Sequence, residues 1–370
     1  MSSSITYVPI IKTGDAEMRG LECLSDRVKD RITPLVELTR SRSTKKLPRG
    51  DVYRRIERLI QAYGKRRIIL DLTSIPELSN EQIQNLLRSD DGYKNWVGFV
   101  VTLKEDLPDL IPTIQIKEDI DDVNKMGNRL RGQARSLADW FDRLSYRISI
   151  MDDAYLDDLT VLKEGIPKFA ERLICVIDCD FIDQGRGTVY AASAIGVVNK
   201  LVSLGIKNIV LSATSFPQNP TEYGDDREGK YNLEEVTTFN QVRKELDSAS
   251  KKQVNLIYGD YASINPNRND QRGGRAWVPR IDIPTERKLF YRRYRRNSQI
   301  QESYAKAYTK VAQRITREPD YRDIRGKLHE CWGIEQIELA AAGEPQGLAP
   351  SFWISVRMNI HITLQSLRRA

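Results

Sequence analysis

Two sets of side chains in this sequence have the types and spacing to do chemistry. The first is a series of acids that close short apolar runs: Glu37 after ITPLV, Asp71 in RIILDL, Asp178 and Asp180 in LICVIDCD, and Asp260 in YGDY. Lys12 and Arg147 end or interrupt similar runs. Carboxylates grouped around one cleft are hard oxygen donors suited to Mg²⁺ or Mn²⁺. Such an ion would polarise a phosphoryl oxygen or generate hydroxide. A metal-free version needs one carboxylate with a raised pKa, produced by a close like charge, as general acid or base. Alternatively, Lys12 or Arg147 balances the acids in a closed salt-bridge network. Each acid also has an ordinary structural reading as a helix N-cap or a solvated loop residue. Asp178 and Asp180 straddle Cys179, so an extended backbone puts both on one face. Beside Asp260, Gly259 permits close approach and Tyr261 adds a stacking face. With only His329 and His361 in the chain, a histidine-rich metal centre is excluded, and Ser215 lacks a histidine partner. The glycines of Gly185-Arg186-Gly187 and Gly273-Gly274 suit phosphate cradles but fit neither a Walker nor a Rossmann pattern.

The second set is a basic segment. From Ala262 to Ile300 there are ten Lys/Arg against three Asp/Glu, a net +7 that equals the formal charge of the whole 370-residue chain. Arg268, Arg272, Arg275, Arg280, Arg287, Lys288, Arg292, Arg293, Arg295 and Arg296 are interleaved with Trp277, Phe290, Tyr291 and Tyr294. Guanidinium groups bind phosphates in bidentate fashion and aromatic rings stack on bases, the composition of a single-strand nucleic-acid surface. Tyr261, next to this segment, is a further candidate for stacking. A solvated charged face and an acidic protein partner are the competing explanations.

The elements that must position these residues follow a strand–helix rhythm. Strands are expected at YVPII, ITPLVEL, RIILDL, LIPTIQI, SYRISI, LICVID, NIVLSA and VNLIYGDY. WVGFVVTL is read as a buried helix, and the polar stretch 218–231 as a loop. Eight strands alternating with helices predict an α/β fold, a TIM-like (β/α)₈ barrel with the strand-end residues at one mouth; an open doubly wound sheet is the alternative. Residues 1–262 form the expected barrel core and 263–296 a basic loop and inserted β-hairpin. Residues 297–370 form a mainly helical C-terminal extension packed on the barrel. Within it, WISVRMNIHIT alternates and predicts a strand with Arg357, Asn359 and His361 in one polar row. No apolar run approaches the ~20 residues of a membrane span. MSSSITYVPI has no signal-peptide pattern, and the four cysteines have no metal-ligand spacing, which points to a cytoplasmic protein with reduced thiols.

YVPIIK, ITPLVEL, the SFP at 215–217, YGDYASINP and WISVRMNIHIT, in this order and spacing, resemble the Beta protein family found in phages and bacteria. The resemblance spans nearly the whole chain. It implies a barrel-like α/β fold and a setting in phage–host conflict or mobile-element loci; it supplies no catalytic residues. Together with the residues above, it predicts a conflict protein that binds nucleic acid through the basic segment, with metal-dependent phosphodiester processing at the barrel mouth. A scaffold binding a protein partner from the same locus and an enzyme acting on a small phosphorylated metabolite are the other readings.

Overall fold

The computed structural model describes residues 5–41, 45, 50–116, 123–248, 254–267 and 277–369. Strands β1 (Tyr7–Lys12), β2 (Leu35–Leu38), β3 (Ile68–Leu72), β4 (Leu110–Pro112), β5 (Leu144–Ser149), β6 (Leu173–Phe181) and β7 (Asn208–Thr214) follow one another with helices between them. The next strand, β8 (Glu228–Asn232), leaves the series, and β9 (Asn255–Asp260) completes it. The eight parallel strands run in the order β4-β3-β2-β1-β9-β7-β6-β5. The ring closes where Thr113, after β4, bridges Ser145 of β5, and the Ile114 N–H donates to the Ser145 carbonyl at 2.8 Å. This is the TIM-type barrel expected from the rhythm of the sequence, with the paired edges excluding an open sheet.

Residues of alternating parity line the inside. Val8, Ile10, Leu35, Ile69, Ile111, Ile174, Val176, Val210 and Ile257 fill it with branched apolar side chains. The opposite parity, including Tyr7, Ile11, Val36, Leu70, Ile177 and Tyr258, packs against the helices. Gly259 faces inward where a Cβ would lie only 2.9 Å from both Ser212 Cβ and Val210 Cγ1, so only glycine lets β9 approach β7 there. Helix Val52–Tyr63 is representative of the outer layer. Asp51 caps its N-terminus, Ile56, Leu59 and Tyr63 face the sheet, and Gly64 ends it at φ +81°. Lys94–Thr102, the WVGFVVT run, is a helix with Trp96 and Phe99 buried.

A second, antiparallel sheet is formed by β10 (Arg280–Pro284), β11 (Lys288–Arg293) and β8, in the order β10-β11-β8. The hairpin is the expected one. Its third strand comes from 218–231, which the polar composition had marked as loop; Tyr231 is the side chain of β8 that is buried. Ile281, Ile283 and Phe290 pack with helices Tyr304–Ile315, Pro319–Lys327, Trp332–Ala341 and Pro350–Arg368 in a core of their own.

The expected C-terminal strand is instead helix Pro350–Arg368. Met358 and Ile362, one turn apart, join the outer core of the barrel, while Trp353, Val356, Ile360 and Leu364 join the second core. A helix buried on two flanks has no solvent face, so its sequence lacks the polar stripe that reveals a helix. The polar row breaks up accordingly. Arg357 pairs with Asp282 at 2.7 Å, Asn359 accepts the Gly333 N–H and donates to the Gly20 carbonyl, and His361 reaches Asp260.

Candidate functional site at the barrel mouth

At the carboxyl ends of the strands, inward parity places Lys12, Glu37, Asp71, Arg147, Asp178 and Tyr261 together. β1, β2 and β3 hold Lys12, Glu37 and Asp71 in lateral register. Arg147 stands at the centre. Its Nη1 donates to Glu37 Oε1 at 2.7 Å and to Asp71 Oδ2 at 3.2 Å. Nη2 donates to Asp178 Oδ2 at 2.7 Å and to the Tyr261 hydroxyl at 2.8 Å. That hydroxyl in turn donates to Asp178 Oδ2 at 2.7 Å. Lys12 Nζ lies 3.0 Å from Glu37 Oε2, and Gln115 Nε2 donates to Asp71 Oδ1 at 3.0 Å. Lys12, Glu37, Asp71 and Tyr261 are buried, whereas Arg147 and Asp178 are partly open to the mouth.

The electrostatics follow from this packing. Burial raises Glu37, but Lys12 and Arg147 outweigh it and hold the carboxyl down at about 2. Asp71 goes the other way, because burial there exceeds the pull of Arg147. Burial followed by the charge of Asp178 raises Tyr261, so its hydroxyl keeps its proton. Of the alternatives open to these acids, the structure contains the salt-bridge network, centred on Arg147.

Two expected members are placed differently. Asp178 and Asp180 do not share a face, because β6 shifts register between Asp178 and Phe181 and Asp180 adopts φ +53°. Asp178 points inward, and Asp180 is exposed at the rim, where its N–H donates to Asp178 Oδ1 at 2.9 Å. Burial and the charge of Asp178 raise the Asp180 carboxyl. Asp260 lies outside the barrel wall, since it has the outward parity of Tyr258. It is fully enclosed between β1 and the C-terminal helix, accepting from the Tyr7 hydroxyl at 2.8 Å and touching His361 Nε2 at 2.7 Å. Sequence reasoning missed Gln115, and it could have been found by carrying the inward parity of Ile111 through Thr113 to Gln115.

The donor set does not suit Mg²⁺ or Mn²⁺. Among the described residues, no three Asp, Glu, His or Cys side chains are grouped so that they could hold a metal ion. The Arg147 guanidinium already occupies the centre that a cation would need, and the other oxygens of Glu37, Asp71 and Asp178 are engaged by Lys12, Gln115 and the Asp180 N–H. The Gly185-Arg186-Gly187 cradle is filled from within: Gly185 and Gly187 N–H groups donate to the two Glu234 carboxylate oxygens at 3.0 and 3.2 Å. Ser215 is buried against Glu235, 2.6 Å from its Oε2.

The basic segment is distributed over the second sheet and the chain after it. Arg292 contacts Glu318 at 2.5 Å, and Arg293 and Arg295 both contact Asp226, at 3.1 and 3.0 Å. Arg296 lies over the Tyr304 ring. Tyr291 is buried, its hydroxyl donating to the Asp225 carbonyl at 2.8 Å, and Tyr261 belongs to the mouth network, so neither ring offers a face to a base. Arg268, Arg272, Arg275, Gly273 and Gly274 lie outside the described residues.

The Beta protein family matches residues 7–366. The chain belongs to that family. "Protein beta" of Enterobacteria phage P4 is 28% identical over 364 residues, covering 97% of this chain and 92% of the phage protein. Among solved structures, triosephosphate isomerase from Bartonella henselae aligns with 71% of this Beta family chain and 95% of its own, at 13% identity and a TM-score of 0.33. A GH10 xylanase from termite gut aligns with 69% of this chain and 67% of its own, at 10% identity and a TM-score of 0.39. Likeness at that level carries nothing about activity. No described helix of this Beta family member is long and apolar enough to cross a membrane.

Proposed function

We propose that this Beta family protein acts in phage–host conflict by binding nucleic acid through the cations of the second sheet and the chain that follows it. The observation that carries the reading is that Arg293 and Arg295 share a single carboxylate, Asp226, while Arg287 and Lys288 stand exposed at the hairpin turn. The pairing therefore leaves excess positive charge at the surface, where it can displace counterions from a phosphate backbone. Anisotropy of labelled DNA and RNA, titrated at two salt concentrations, tests this. Affinity should fall by powers of ten between low and moderate salt. Replacing Arg287, Lys288, Arg293 and Arg295 with Ala should reduce both the affinity and the salt slope. Absence of binding at low salt overturns the reading and favours a protein partner.

A second reading, metal-independent acid–base chemistry at the mouth, draws on Asp180. It is the exposed acid of this group, it has no ion-pair partner among the described residues, and its carboxyl is raised. Its left-handed backbone is the kind of local strain that accumulates at working sites. Asp180→Asn should abolish any turnover found with the purified protein while leaving the melting temperature unchanged; full activity in that variant removes the role.

A further inference from the structure

We propose that Trp277 and Tyr304 form a stacking platform for the bases of a single-stranded nucleic acid, an inference that rests on the nucleic-acid reading above. Trp277 leads into β10 and Tyr304 opens the helix Tyr304–Ile315. Their rings are stacked, with centroids 4.4 Å apart and planes at 23°. The Arg296 guanidinium carbon lies 3.7 Å from the centroid of the same Tyr304 ring. Two groups that close to one ring cannot occupy the same face, so Tyr304 is sandwiched and Trp277 is the outer layer of a three-layer stack.

The inner layers are fixed. Arg296 Nη1 donates to the Glu302 carbonyl at 2.9 Å, which holds the guanidinium plane in place. Trp277 remains 38% exposed, a large ring held at the end of a rigid stack. A base is flat, presents a π-face whatever its identity, and extends such a stack by one layer. Charge around the platform suits a phosphate backbone. Arg295 is exposed next to Arg296 in the chain. Duplex bases are already stacked on one another, so the platform selects single strands. These are residues other than Tyr261 and Tyr291, whose rings are covered.

The test uses the full chain, labelled oligothymidylate and an abasic strand of equal length, which carries the same phosphates without bases. Oligothymidylate should bind about tenfold more tightly than the abasic strand. Trp277→Ala should erase that difference while leaving the salt dependence intact, and Trp277→Phe, which keeps an aromatic face, should restore most of it. Equal affinity of the wild-type protein for the two strands overturns the platform but leaves phosphate binding standing, as does a Trp277→Ala variant that keeps the full preference. If neither strand binds at low salt, the nucleic-acid reading fails and the platform with it.

Discussion

The arginine at the barrel mouth and the arginines of the second sheet make the same kind of contact in opposite surroundings. Arg147 donates to Glu37, Asp71 and Asp178 in a mouth where its own side chain is 19% exposed and those of Glu37 and Asp71 only 4% and 8%, so little water is at hand to replace a lost partner. Arg295 meets Asp226 at a comparable distance, 3.0 Å, but both side chains are more than two-thirds exposed. Distance does not separate them; the medium does. Desolvated charges depend on one another for solvation, whereas exposed charges exchange one partner for water at little cost. A single arginine in an apolar run is therefore expected to matter more to the fold than the row that draws the eye.

That contrast can be broken most directly at Arg147. Arg147→Ala should destabilise the protein by about 3–5 kcal/mol, because three carboxylates lose their shared cation. Denaturant unfolding measures it, and a loss below about 1 kcal/mol would mean that the mouth is hydrated well enough to behave like the surface.

The buried glutamates sharpen the comparison through pH. Burial, only partly offset by the hydrogen bond from the Ser215 hydroxyl, pushes Glu235 up to about 7 from an ordinary 4.5. The folded state then holds a proton that the unfolded chain has released, so this contribution is complete below about pH 4.5 and lost as pH rises through 7. The loss amounts to about 3 kcal/mol. Glu37, held down at about 2 with burial overcome by Lys12 and Arg147, has the opposite sign: its contribution is present above pH 4.5 and lost as pH falls towards 2. Stability profiles of Glu235→Gln should be flatter between pH 4.5 and 7 than those of the wild type; an unchanged slope there would assign the titration elsewhere.

The smallest effect is expected at the surface. Arg295→Ala should change stability by less than about 0.5 kcal/mol, while weakening nucleic-acid binding if that proposal holds. A stability loss as large as that of Arg147→Ala would erase the distinction between the two regions.

Much of the architecture was legible before any coordinates. Apolar runs of four to seven residues, each followed by an amphipathic stretch, have few ways to bury themselves other than a parallel barrel, and β1 to β7 and β9 lie where those runs are. Position at the strand ends also placed Lys12, Glu37, Asp71, Arg147, Asp178 and Tyr261 at one mouth, but it put Ser215 and Asp260 there too, whereas Ser215 is buried against Glu235 and Asp260 against Tyr7 and His361. Period-two parity failed where the backbone departed from regular geometry or where burial had more than one side. The register shift in β6 left Asp180 exposed at the rim while Asp178 joined the network inside. WISVRMNIHIT alternated like a strand because both flanks of its helix are buried.

The sequence by itself determined which residues were available and the rhythm of the barrel, because periodicity and composition are local properties. The partners of the buried charges at the mouth and beside the C-terminal helix were decided by tertiary structure alone. Asp260 sits beside His361, 101 residues away in the chain, and Arg147 beside Glu37, 110 residues away. No local pattern encodes such distances: desolvation and ion pairing act through space, and only the closed chain fixes which side chains share that space.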